Sequence, residues 1–267
     1  MALDSEAELK PTPGERLRAF SRRKDVSQTI QLGIAFTTLF VVLGIWVYPH
    51  WMPAVHSKEM HSGRMIMTIF TVLSAPICGL VLSVAMRAFL NMHRGDNPPP
   101  DQEVSDKSNT PAILAWCIGS GVFVVTAIVI GLLAYNSDEN AALADSPSAL
   151  TVDVTGAQWA WSFYYPAQGI HTHTLDLPSG QPVVFNVVSS DVNHSFWPVQ
   201  LGIKVDANRI VTTTADARPT IIGPIDIRCA ELCGLNHAYM ETSGAVVSSS
   251  DFTSWVNSIK ATGGVQQ

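Results

Sequence analysis

Three long apolar stretches fill the first half of the chain, and none follows in the second. Residues 26–48 are 23 positions without a charge, enough for a helix to cross the roughly 30 Å hydrocarbon core of a bilayer. Two further apolar runs follow, and the pattern predicts helices over about 26–48, 64–90 and 111–135 in a membrane region of residues 26–135. A signal peptide also pairs a basic head with an apolar run. Its apolar region is usually about 7–15 residues, however, and here Pro49 and Pro53 follow where a small-residue cleavage site would stand. The first run is therefore expected to be a retained helix behind a cytoplasmic tail, residues 1–25.

After a polar linker (136–149) the apolar positions alternate. Residues 150–155, 158–165, 182–188 and 221–227 are rich in β-branched and aromatic side chains, with turn residues such as Pro178 and Gly180 between them. Several short strands at near-regular spacing predict an all-β sandwich or barrel over residues 150–250. Phe252, Trp255, Val256 and Ile259 then recur at helical spacing in a C-terminal segment, 251–267, with Asp251 as the candidate cap.

Composition agrees with a membrane anchor: the chain is 47% hydrophobic and only 14% charged, against roughly 25% charged in ordinary soluble domains. Charge also sets an orientation. Arg16, Arg18, Arg22, Arg23 and Lys24 precede the first run, and Arg87, Arg94 and Lys107 flank the Pro-rich second loop, whereas the first loop has only Lys58 and Arg64. Basic flanks stay on the cytoplasmic side, so three spans leave residues after 136 outside. That outer half holds 5 Lys+Arg against 12 Asp+Glu, a net of −7. Such a balance argues against nucleic acid and favours a basic partner.

Candidate chemistry concentrates in residues 229–240. Cys229, Cys233, His237 and Met240 fall within twelve positions, and His194 lies 35 upstream. Thiolate, imidazole and thioether are soft-to-borderline donors that suit copper. One copper needs a single thiolate; two thiolates can bridge two coppers. Structural zinc takes the same Cys and His donors but has little use for Met240, and a bare Cys229–Cys233 disulfide leaves the other three unexplained. Cys78 and Cys117 sit in apolar runs and are expected to be small buried hydrophobes. The first loop, with His50, His56, His61, Met52 and Met60, is expected to be solvated. His171 and His173 are expected to be exposed rather than ligands. Trp159 and Trp161 share strand parity, which core packing alone would explain. No C-x-x-C-H stands in the chain, so no attached c-type haem is expected.

The pattern C-x-E-x-C-x-x-x-H-x-x-M, preceded by Asp191, His194, Ser195 and Phe196, resembles the CuA signature of cytochrome c oxidase subunit II. The resemblance runs from the second helix to near the C-terminus. It implies a membrane-anchored, cupredoxin-like Greek-key β-sandwich behind three N-terminal transmembrane helices. It also implies a dinuclear copper centre in which Cys229 and Cys233 bridge, His194 and His237 are terminal, Met240 is axial and Glu231 gives its carbonyl. The Glu231 side chain would approach a magnesium at the boundary with subunit I. Trp159 would be the point of electron entry. The implied partners are subunit I, subunit III, the lipid bilayer and an external donor, a cytochrome c or small copper protein.

Some positions depart from the family pattern. Ala160 replaces the aromatic between the two tryptophans, and Tyr164, Tyr165, Pro166 and Ala167 stand where acidic residues are usual. Asn208 and Arg209 replace a Pro-Gly, the segment before Trp116 has no carboxylate, and the first helix is additional. Three other readings share parts of the pattern. A nitric oxide reductase could use the same module. A membrane-tethered copper chaperone would need a thioredoxin-like fold. Nitrous oxide reductase carries the motif on a soluble propeller protein. Quinol-oxidase homologues lack the copper ligands.

Overall fold

A computed structural model describes residues 24–91, 110–137 and 148–266. The basic residues at 16–23, the Pro-rich loop with Arg94 and Lys107, and most of the linker lie outside the described residues. Helix α1 (Lys24–Val42) continues through a π-helical turn, Leu43–Val47, into the short α2 (Tyr48–Trp51). Helices α3 (Lys58–Asn91) and α4 (Thr110–Ser137) follow. Three stretches, Val26–Trp51, Lys58–Leu90 and Thr110–Leu133, are long and apolar enough to cross a membrane. The first two exceed their predicted lengths, because helical hydrogen bonding carries on through flanking residues that hydropathy leaves out, and the third begins one residue earlier and ends two residues sooner than predicted. Cys78 and Cys117 are exposed on α3 and α4 rather than buried. A span apolar on all sides meets lipid or another chain where it does not meet itself.

The chain divides into two compact units, residues 1–51 with 67–106, and residues 52–66 with 107–267. In the first, glycines permit close helix approach: a Cβ on Gly79 would lie 2.8 Å from the backbone N of Thr37 and 2.9 Å from the carbonyl of Gly33. Arg87 donates to the Gln28 side chain.

Among the described residues of the second unit, ten strands form two five-stranded sheets. The strands are β1 (Leu150–Ala157), β2 (Ala160–Tyr165), β3 (Ile170–Thr172), β4 (Leu175–Pro178), β5 (Val183–Ser189), β6 (His194–Pro198), β7 (Val205–Ala207), β8 (Thr213–Ala217), β9 (Gly223–Cys229) and β10 (Glu241–Val247). One sheet runs β3-β2-β1-β5-β8 and the other β4-β10-β9-β6-β7. The period-two pattern turns Val152 and Val154, Trp161 and Phe163, Phe185 and Val187, and Ile225 and Ile227 into one shared core. Helix α5 (Ser249–Ala261) covers part of that core with Phe252, Val256 and Ile259. Its cap is Ser248, whose Oγ accepts from the Asp251 N–H at 3.1 Å, and not Asp251. Helical φ/ψ begin two residues before Asp251, so its N–H is one of the unpaired first-turn donors that the cap serves.

Two sequence expectations change. Gln158 and Trp159 do not belong to a strand; they are the two-residue turn between β1 and β2, with Ala157 opposite Ala160. The first loop is not solvated throughout either. His56, Ser57 and Met60 are buried against the β domain. The His56 N–H donates to the Gln200 carbonyl (3.1 Å), the Thr220 N–H to the His56 carbonyl (2.8 Å), and the Lys58 N–H to the Arg218 carbonyl (3.2 Å). Ser57 Oγ donates to the Leu201 carbonyl at 2.6 Å, and the Arg218 N–H to Glu59 Oε2 at 2.9 Å. Residues 56–60 thus strap two segments of the sandwich, one following His194 and one preceding Cys229. These partners stand far away in sequence, so no local pattern announces them.

Candidate copper centre

The inward line of β9 (Ile225, Ile227, Cys229) ends on a sulfur. Beyond it the chain leaves the sheet, turns at Gly234 (φ +119°), forms a short 3-10 turn, His237–Tyr239, and re-enters as β10 after Met240. This loop carries Cys233, His237 and Met240 back over one edge of the core, beside Cys229 at the end of β9. His194 opens β6, which pairs with β9 so that Phe196 lies opposite Cys229.

The two sulfurs lie 3.7 Å apart, and both thiols are free. A disulfide requires about 2.05 Å. His194 Nδ1 is 3.8 Å from Cys229 Sγ, and His237 Nδ1 is 3.5 Å from Cys233 Sγ. Met240 Sδ stands 3.7 Å from Cys233 Sγ, and the Glu231 carbonyl 3.2 Å from Cys229 Sγ. His194, Cys229 and Cys233 offer ligand atoms within 4.8 Å of one another. Six donors therefore converge, each beside a sulfur, whereas a single tetrahedral ion would use four. Cys229, Cys233, His194 and Met240 are buried. His237 is half-buried and Glu231 exposed.

Neighbouring groups set the direction of these donors. Asp191 Oδ1 is 2.8 Å from His194 Nε2. A carboxylate only accepts, so Nε2 is the donor to Asp191 and Nδ1 is the nitrogen that faces the sulfur. Burial raises the Asp191 carboxyl, but hydrogen bonds from His194 and from the N–H groups of Gln158 and Val192 outweigh it and hold it down at about 2. Burial, then the neighbouring Cys229, push the Cys233 thiol up to about 11. A soft cation must displace that proton on binding. On its other face the His194 ring meets Trp161, centroids 6.0 Å apart. Gly156 leaves the space: a Cβ there would lie 3.0 Å from Trp161 Cζ3 and 3.1 Å from His194 Cδ2.

The two tryptophans part company despite their shared parity. Trp161 is core, 1% exposed. Trp159 is half-buried, and a Cβ on Gly234 would lie 3.5 Å from its Cζ2 and Nε1. His171 and His173 are exposed; His171 stacks on Tyr164, and His173 Nδ1 is 3.1 Å from the Trp161 carbonyl. Sequence reasoning gave no role to Gly156, Gln158 or the Asp191 carboxylate. Only the Asp191–His194 spacing of three hinted at the last.

A two-sheet β domain behind apolar helices, with thiol, imidazole and thioether side chains gathered at one end, defines a membrane-anchored cupredoxin-like protein. The thioredoxin-like fold that a copper chaperone would need is not what these residues form. Residues 170–247 match the family model for the periplasmic domain of cytochrome c oxidase subunit II. Cytochrome c oxidase subunit 2 of Thermostichus vulcanus is 43% identical over 106 residues, covering 40% of this chain and 32% of that protein. The Bacillus subtilis protein of the same name is 29% identical over 221 residues, covering 76% of this chain and 60% of that protein. The chain thus spans between a third and three fifths of the length of these relatives. A crystal structure of the periplasmic domain of subunit II of cytochrome oxidase from Bradyrhizobium japonicum aligns with TM-score 0.41 and 28% identity, covering 42% of this chain and 94% of that one. Over residues 170–247 the chain is thus similar to the periplasmic domain of the cytochrome c oxidase subunit II family.

Proposed function

We propose that this chain is the electron-transfer subunit of a terminal respiratory oxidase. It would accept electrons from an external cytochrome c or small copper protein and pass them to haem in subunit I, where oxygen is reduced to water. The observation that carries this reading is the pair of thiols 3.7 Å apart with an imidazole nitrogen beside each. Cys229, Cys233, His194, His237, Met240 and the Glu231 carbonyl would hold a dinuclear copper centre. That centre, when bound, supplies a one-electron relay.

The chain's own residues do the rest. The core of both sheets fixes Cys229, and Asp191 and Trp161 fix the His194 ring, so the donors need not move when charge changes. Burial of four of the five side-chain ligands excludes water, and the half-buried His237 marks the open edge. Leu232, Leu235 and Tyr239, 79%, 90% and 79% exposed, surround that edge and suit contact with another subunit. The exposed Glu231 carboxylate on the same loop is the group that would reach a magnesium at the subunit I boundary. Trp159, half-buried beside Gly234, is the entry residue of this reading. The strap at residues 56–60 supports the topology: the loop between the first two spans shares a side with the β domain, as two crossings between them would give, and the positive-inside rule would leave the N-terminus cytoplasmic. Subunit III and the bilayer complete the implied surroundings.

Metal analysis and electron paramagnetic resonance on the full-length chain in detergent test the reading. Two coppers per chain with a delocalised mixed-valence signal are expected; one labile copper, or zinc, overturns it.

A further inference from the structure

Resting on that copper reading, we propose that Gln158 is a positioning residue that locks the tryptophan turn to both ligand-bearing loops at once. The turn between β1 and β2 needs only two residues, and Gly or Asn usually fill it. Here a long amide stands in it and is used twice. Its backbone N–H donates to Asp191 Oδ2 at 2.7 Å, while the other oxygen of the same carboxylate holds His194 Nε2 at 2.8 Å. Its side-chain Nε2 donates to the Cys233 carbonyl at 2.7 Å, 75 residues further along the chain.

One residue therefore restrains the imidazole through Asp191 and the thiol through its own backbone. The fit with the loop is mutual. A Cβ at position 234 would sit 2.9 Å from Gln158 Nε2, so the glycine that turns the loop also admits the amide. Cys229 is held by a strand, but Cys233 lies in a loop with no sheet pairing. Of the two sulfurs, it is the one whose direction depends on such a bond. Since Trp159 follows Gln158 directly, the same bond keeps the indole beside Gly234. Partners that orient ligands from outside the ligand set typically change metal affinity by roughly 10–100-fold when removed.

The test uses the full-length chain and Cu(II). Gln158→Met keeps length and backbone N–H but removes the donor to Cys233; Gln158→Glu keeps the shape and turns an oxygen toward that carbonyl. Copper affinity is measured by competition with a chelator, together with paramagnetic resonance and the reduction potential. Both variants are expected to bind two coppers about tenfold more weakly, with altered hyperfine splitting and a shifted potential, while metal-free thermal unfolding stays that of the wild type. Wild-type affinity and spectrum in both variants overturn the proposal. Loss of the metal-free fold in both overturns it too, since Gln158 would then be structural. A wild-type chain that fails to bind two coppers overturns the copper reading itself, and this inference with it.

Discussion

Two glycines with nearly the same backbone offer a direct measure of what the strap contributes. Gly202 has φ +70° and Gly169 φ +65°. A Cβ on Gly169 meets nothing within 4 Å, whereas one on Gly202 would lie 2.6 Å from Met60 Cα and 2.7 Å from Met60 N. An L-residue in the left-handed region costs about 1–2 kcal/mol, and Gly169→Ala should show that alone. Gly202→Ala adds an overlap with backbone, which cannot swing aside as a side chain would. The strap must lift, loosening the Ser57–Leu201 hydrogen bond and the amide bonds of His56 and Thr220. At about 0.5–1.5 kcal/mol net for each such bond, the extra cost is about 2–4 kcal/mol. Hydrogen exchange on the full-length chain reads it locally: the His56, Lys58 and Thr220 amides should lose protection in Gly202→Ala and keep it in Gly169→Ala. Equal protection in the two variants would refute the strap as a source of stability.

Further outcomes follow from the site and the core. Cys229→Ser should abolish the dinuclear copper signal, and two coupled coppers retained in that variant would disprove bridging. Gly156→Ala should push the His194 ring by a few tenths of an ångström and change the copper hyperfine pattern; an unchanged spectrum would argue against His194 as a ligand. Tyr165, buried and donating to the Asp176 carbonyl at 2.9 Å, has its phenol pKa raised well above 10, first by burial and then by the Asp176 charge. The folded state keeps a proton that the unfolded chain loses, so its stabilising contribution is full below about pH 10 and lost as pH rises through the folded value. Tyr165→Phe should therefore cost about 1 kcal/mol at neutral pH and flatten the fall in stability above pH 10, measured by denaturant unfolding across that range. An alkaline slope unchanged by the substitution would sink the assignment.

Periodicity determined a good deal here by itself. Uninterrupted apolar runs made three helices long and apolar enough to cross a membrane legible, and alternation of β-branched and aromatic residues made the strands legible. The spacing of Cys229, Cys233, His237 and Met240 marked them as candidate donors, because soft side chains in so short a segment have few other uses. Tertiary structure alone decided how these parts meet. The separation of the two sulfurs, and the pairing of each with a different imidazole, depends on β6 lying against β9. Shared parity could not separate Trp159 from Trp161; the hairpin turn did, leaving one beside Gly234 and the other under His194. The loop at residues 56–60 looked solvated because its partners, Gln200, Leu201, Arg218 and Thr220, stand some 140 or more residues away. Gln158 and Asp191 were ordinary polar residues until folding placed them across the two loops. Hydrogen bonds between distant segments leave no period in a sequence, and it is those bonds that aim the candidate donors.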